Sequence, residues 1–171
     1  MGKVFNSEGE AKFVAGMSPN PELLDWYLKD FYQKIFYDSK VERRFKELGR
    51  LRLSSIHGCR SCNLGNRLDA LEGGLTEAEI DQIHELDFDG FSEADRSTLR
   101  LADLMSMAAE PGSVLEHDLY DELTHHFSKS EILEMAMIFH CWPALHVLFS
   151  CLTLQTKKII VSFELIDGQN K

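Results

Sequence analysis

Three times in this chain a hydroxyl residue is followed three places later by an acid just as an apolar segment begins: Thr76 with Glu79, Ser92 with Asp95, and Ser128 with Glu131. Such a pair closes a capping box. The hydroxyl accepts the free N–H of the third helical residue, the acid reaches back to the N–H of the cap, and the arrangement has a use only where a helix starts. Around the first box, Leu75 and Ile80 occupy the two positions that clasp an entering chain. Asn20 before Pro21 is a fourth start, a side-chain cap followed by proline in the first turn. The expected fold class is therefore all-α.

The segments that these starts open carry helical stripes. Leu24, Leu28, Phe31 and Ile35 recur at i, i+4, i+7 and i+11, and Leu115, Leu119, Leu123 and Phe127 fall every fourth residue. Gly73-Gly74, Asp89-Gly90 and Pro111-Gly112 separate the elements. Neither an internal repeat nor a long linker divides the chain, so one domain over residues 1–171 is expected. The tail, Ile159 to Gly168, has the β-branched content of a strand but nothing obvious to pair with, and it is read as helix.

Charge narrows the partners. A net charge of −10 repels phosphate backbones and acidic lipid surfaces, which argues against nucleic acid and membrane as partners. Residues 135–156 form an uncharged run long enough to span a bilayer, yet His140, Pro143, His146 and Ser150 interrupt it, and a buried or subunit-interface helix fits better. The opening residues, MGKVFNSEGEAKF, hold no apolar run of signal-peptide length, so the expected location is the cytoplasm, where thiols stay reduced.

In that setting HGCRSCNLGN, residues 57–66, is the stretch that carries chemistry. Gly58 breaks one helix, a second starts near Cys59 and stops at Gly73-Gly74, and Leu64, Leu68 and Leu71 are its expected buried stripe. Cys59, Cys62 and Asn66 share a different face. A thiol at a helix N-terminus is biased toward thiolate, and two thiols one turn apart can close into a disulfide. Two other readings stay open at this point: small residues packing on a helix, and half of a zinc site completed by Cys141, Cys151, His140 or His146. These last four are otherwise core residues.

KELGRLRLSSIHGCRSCNLGNRLDALEGGLTEAEI resembles the signature region of the alkylhydroperoxidase D (AhpD)-like branch of the carboxymuconolactone decarboxylase family. Glu47 lies twelve residues before Cys59, as the family's glutamate does before its CxxC, and the likeness extends over about residues 40–154. The resemblance implies an all-α, AhpD-like helical domain that assembles as a trimer or hexamer and reduces hydroperoxides or disulfides. It implies Cys62 as the peroxide-reacting thiol, Cys59 as the resolving thiol and Glu47 as the carboxylate of a proton relay. The disulfide they form would be reduced by a dithiol donor, a lipoylated or thioredoxin-like protein. Neither a cofactor nor a metal is implied.

The chemistry supports that glutamate on its own account. Expelling an alkoxide needs a proton donor and deprotonating a thiol needs an acceptor, and one partly buried carboxylate can serve both steps. The family's two histidines are replaced here by Ser61 and Asn66, neither of which shuttles protons near neutral pH. His57 is the nearest substitute in sequence, and Asn66 could hold a water or orient Glu47. Two alternatives follow from the same residues. One is a lyase of the family's decarboxylase branch, with Arg50, Arg52, Arg60 and Arg67 to hold substrate carboxylates. The other is an oligomer whose dithiol senses redox state without turnover.

Overall fold

In the computed structural model, residues 17–58, 60–85, 87–106 and 117–142 are described, with the side chains of residues 60–65 and 117 set aside. The described elements are helices. A short α1, Pro21–Trp26, runs directly into a π-helical arm, Tyr27–Tyr37. Then come α2 (Arg43–Ile56), α3 (Arg60–Glu72), α4 (Glu77–Glu85), α5 (Glu93–Ser106), α6 (His117–His126) and α7, described over 129–142.

The caps that the sequence announces are formed. Asn20 Oδ1 accepts from the Leu23 N–H at 3.0 Å. Thr76, Ser92 and Ser128 each exchange both bonds of the box: the Glu79, Asp95 and Glu131 N–H groups donate to the hydroxyls, and the acids accept from the Thr76, Ser92 and Ser128 N–H groups. Leu75 and Ile80 are both buried in one cluster, as the staple requires. At the end of α3 the Gly74 N–H bonds the Leu71 carbonyl at 3.1 Å and the Leu75 N–H bonds the Ala70 carbonyl at 3.0 Å. That closure needs a left-handed residue, and Gly74 supplies it with φ +96°.

The helix α2 is the axis of the fold. Lys46 to Leu51 are all buried, a run longer than one turn, so neighbours enclose this helix on every side. Two apolar clusters flank it. One joins Leu48 and Leu51 to Ala70 of α3, Ile80 and Ile83 of α4, and Leu99 of α5. The other joins Leu53 to the arm, α5, α6 and α7 through Phe36, Leu101, Leu123 and Phe139. Gly49 stands where α2 meets α7: a Cβ there would lie 2.1 Å from the Phe139 ring. A helix-interior glycine costs about 1 kcal/mol against alanine, and here the close approach accounts for it.

Three details depart from the periodicity reading. In the arm the wider π turn, seen in the Asp38 N–H bonding the Gln33 carbonyl five residues back, moves full burial onto Tyr27, Phe31 and Phe36. Leu24, Leu28 and Ile35 pack only partly against the same core. On α3, Leu68 is 61% exposed, because the helix turns Ala70 inward and Leu71 only partly. His140 is exposed on α7, while Cys141 packs partly against the core and burial raises its thiol pKa. Leu119, Leu123 and Phe127 are buried as expected. Leu64, Leu115, Pro111-Gly112, His146, Cys151 and the tail 159–168 lie outside the described residues or side chains. No helix among the described residues is long and apolar enough to cross a membrane.

Buried polar bonds tie the elements together. Lys46 Nζ donates to the Ile35 and Phe36 carbonyls at 3.2 and 2.8 Å, capping the end of the arm, and pairs with Glu134 of α7 at 3.4 Å. Arg44 bonds Glu79 at 2.5 Å, Asp95 at 2.9 Å and the Gly74 carbonyl at 3.0 Å, linking α2 to α4, α5 and the turn after α3.

Two measurements check this picture. Gly49→Ala destabilises by about 1–3 kcal/mol in urea denaturation, despite its better helix propensity, because Phe139 is fully buried and has nowhere to move. Glu79 is held at about 2, below its ordinary 4.5, chiefly by the Arg44 hydrogen bond. The folded state then binds fewer protons than the unfolded one, so this stabilisation is complete above pH 4.5 and is lost as the pH falls toward 2. In acid titrations followed by circular dichroism, Glu79→Gln shows a shallower stability loss across that window.

Candidate functional site

The site is built on one face of α2. Glu47 and Arg50, three apart, point the same way, and Arg43 lies one turn before Glu47. Glu47 and Arg50 are fully buried. Arg43 Nε donates to Glu47 Oε1 at 3.2 Å, and Arg50 Nη2 donates to Glu47 Oε2. The carboxylate therefore has a guanidinium on each oxygen.

The opposing wall is α3. Asp69 Oδ2 accepts from Arg50 Nη2 at 3.2 Å, its Oδ1 lies 3.7 Å from Arg43 Nη2, and its carbonyl accepts from Arg43 at 3.1 Å. Each guanidinium thus serves both carboxylates. Gly73 permits this closeness: a Cβ there would stand 2.8 Å from Glu47 Cγ.

Aromatic rings from the arm and α7 close the remaining side. Arg50 lies 4.9 Å from the Phe36 centroid and 5.7 Å from that of Trp142, which packs edge-on to Phe31, Tyr32 and Phe36. The Tyr32 hydroxyl is 3.4 Å from Arg50 Nη1, and Arg43 sits 4.9 Å over the Tyr37 ring. Rings at this distance stabilise a cation that has left water.

Burial decides the proton affinities. It raises the pKa of the Glu47 carboxyl against the opposing pull of Arg50 and Arg43, and Asp69 adds to the rise. Burial alone would lower Arg50, but Glu47, Tyr32 and Asp69 hold it charged. Tyr32 and Tyr37 are raised, first by desolvation, and stay protonated. The arrangement is a neutral set of two cations and two anions, one of whose anions holds a proton more readily than an ordinary glutamate.

The residues singled out in the sequence fall as follows. Glu47 is interior, not a solvated member of a charged stretch. Ser61 and Cys62 occupy the first turn of α3, with Cys59 just before the described helix. Asn66 and Asp69 follow Cys62 on α3 by four and seven positions, and the Cys62 side chain lies outside the described ones. Asn66 is half-buried; His57 is exposed beyond the end of α2, next to Gly58 with φ +62°.

Sequence reading had no place for Arg43 or Asp69 and treated Arg50 only as a candidate substrate anchor. The available signal was the spacing itself: arginines four before and three after the glutamate on one helix face. Arg50→Met is expected to cost about 3–5 kcal/mol in urea denaturation, because it strands a buried carboxylate, and Glu47→Leu added to it recovers a large part of that loss.

The model of the carboxymuconolactone decarboxylase family matches residues 21–104, a range that includes Glu47, Cys59 and Cys62. The uncharacterized protein YdfG of Bacillus subtilis (strain 168) is 25% identical over 111 residues, 63% of this chain and 73% of that protein. Residues 21–104, 84 of the chain's 171, are thus similar to the carboxymuconolactone decarboxylase family.

Proposed function

We propose that the protein is a thiol-dependent oxidoreductase that reduces hydroperoxides, or disulfides, through a Cys59/Cys62 dithiol–disulfide cycle. The observation that carries this reading is the fully buried Glu47, its proton affinity raised, on the helix packed against the one that bears Cys62. A carboxylate in that state accepts a thiol proton and returns it to a leaving group.

In this reading the Cys62 thiol gives its proton to Glu47, and the thiolate attacks the hydroperoxide. The O–O bond breaks, Cys62 keeps one oxygen as a sulfenic acid, and the alcohol leaves with the proton from Glu47. Cys59 then attacks the sulfenic sulfur, water departs, and the disulfide forms. A dithiol donor, lipoylated or thioredoxin-like, restores both thiols by exchange. Ser61 and Asn66 carry no proton in this scheme. Asn66 orients water along the Cys62 face, and the exposed His57 stays outside the relay.

Three of the lyase alternative's four anchors are engaged: Arg50 by Glu47 and Asp69, Arg52 by Asp103 at 2.5 Å, and Arg67 by Glu77 and Asp81, while Arg60 lies outside the described side chains.

The test begins with fully reduced protein and one equivalent of an organic hydroperoxide at neutral pH. Two thiols are lost and peptide mapping joins Cys59 to Cys62. Cys62→Ser abolishes the reaction, whereas Cys59→Ser leaves a sulfenic acid trapped at Cys62. Equal activity in the two variants, or thiols no faster than an ordinary exposed cysteine, defeats the reading.

A further inference from the structure

Glu47 is enclosed by two guanidinia that favour its anion, against the desolvation that raises its proton affinity. Asp69 adds to that rise. Asp69 takes one bond from Arg50 Nη2 at 3.2 Å and stands 3.7 Å from Arg43 Nη2, so neither arginine is devoted to Glu47.

We propose that Asp69 is a positioning residue that, by taking a share of both guanidinia, keeps Glu47 able to accept and return a proton. Charge balance shows how. With both carboxylates ionised, the cluster of Arg43, Arg50, Glu47 and Asp69 is neutral; when Glu47 takes a proton from a thiol it becomes singly positive beside the new thiolate, and the pair of charges stabilise one another. Asp69 is also the more open of the two carboxylates, its side chain 19% exposed while Glu47 has no exposure, so the cluster meets solvent on the α3 side. Since Asp69 is one turn beyond Asn66 and two beyond Cys62 on the same helix, the residue that tunes the base is carried by the helix that bears the thiol.

The other titratable groups facing Glu47 do not supply this effect. Tyr32 and Tyr37 of the arm are raised and stay neutral. Lys46 on α2 is committed to the arm carbonyls and Glu134, and Glu72 is an outlying partner 3.7 Å from Arg43.

The proposal rests on Glu47 carrying the proton for Cys62, and two reactions of the reduced full chain separate the ideas. One is consumption of cumene hydroperoxide; the other is alkylation of Cys62 by iodoacetamide, which needs thiolate but no proton donor, each followed across pH 5–9. In Asp69→Asn the guanidinia close on Glu47 and the cluster gains positive charge. Thiolate becomes more abundant, so alkylation quickens, while the leaving alkoxide lacks its donor, so the hydroperoxide reaction slows by about tenfold or more at neutral pH. Asp69→Glu restores both rates.

A merely structural part for Asp69 would move the two reactions in the same direction or leave both unchanged, and either result overturns the proposal. Should Asp69→Asn fail to fold by circular dichroism, Arg43→Gln removes positive charge from the same cluster and must slow alkylation; faster or unchanged alkylation overturns the proposal. Rapid alkylation with no hydroperoxide reaction in any variant defeats the peroxidase reading alone. In that event Asp69 stands or falls on whether alkylation quickens in Asp69→Asn.

Discussion

Everything in this structure is arranged around a carboxylate and a guanidinium that have left water together. Glu47 and Arg50 sit on one turn of α2 with no exposure, and an ion pair so deeply placed is tolerable only where every neighbour helps. Arg43 and Asp69 complete the charge balance, Phe36 and Trp142 face the Arg50 cation, and Gly73 lets α3 come close enough to take part. The arm, α3 and α7 are each held against α2 by contacts that begin at this cluster.

The same enclosure gives the site its chemistry. In water Glu47 would be an ordinary anion at neutral pH. Inside, desolvation opposes its charge more than the arginines favour it, so the carboxyl holds a proton more readily than in water, as a proton carrier requires. Lys46, one residue before it on α2, shows the contrasting use of burial: its ammonium is spent on capping the arm and pairing with Glu134, and it stabilises an interface instead of serving a reaction.

Much of the architecture was legible in advance because it depends on local hydrogen bonds. The boxes at Thr76, Ser92 and Ser128, the cap at Asn20 and the glycine stop at Gly74 involve residues within a few positions of one another, and short-range chemistry of this kind reads directly from a sequence. The misreadings have non-local causes. Leu68 fits a helical stripe yet faces outward, because which side of α3 is inside depends on where α2 and α4 lie. The arm widens to π geometry, and its burial follows Tyr27, Phe31 and Phe36 instead of the α-helical stripe.

By itself the sequence determined that the described residues are helical, where the four capped helices begin, and that Cys59, Cys62 and Glu47 are spaced as in a known family; these follow from capping bonds and from residue identity, which folding does not alter. Only the tertiary structure decided that VERRFKELGR, the most charged stretch near the site, leads into a helix buried on all sides from Lys46 to Leu51. Charge predicts solvent unless partners are supplied, and the partners here, Asp69 above all, come from α3, nineteen positions beyond Arg50. Which anion meets which cation across that distance is a property of packing, and no local pattern encodes it.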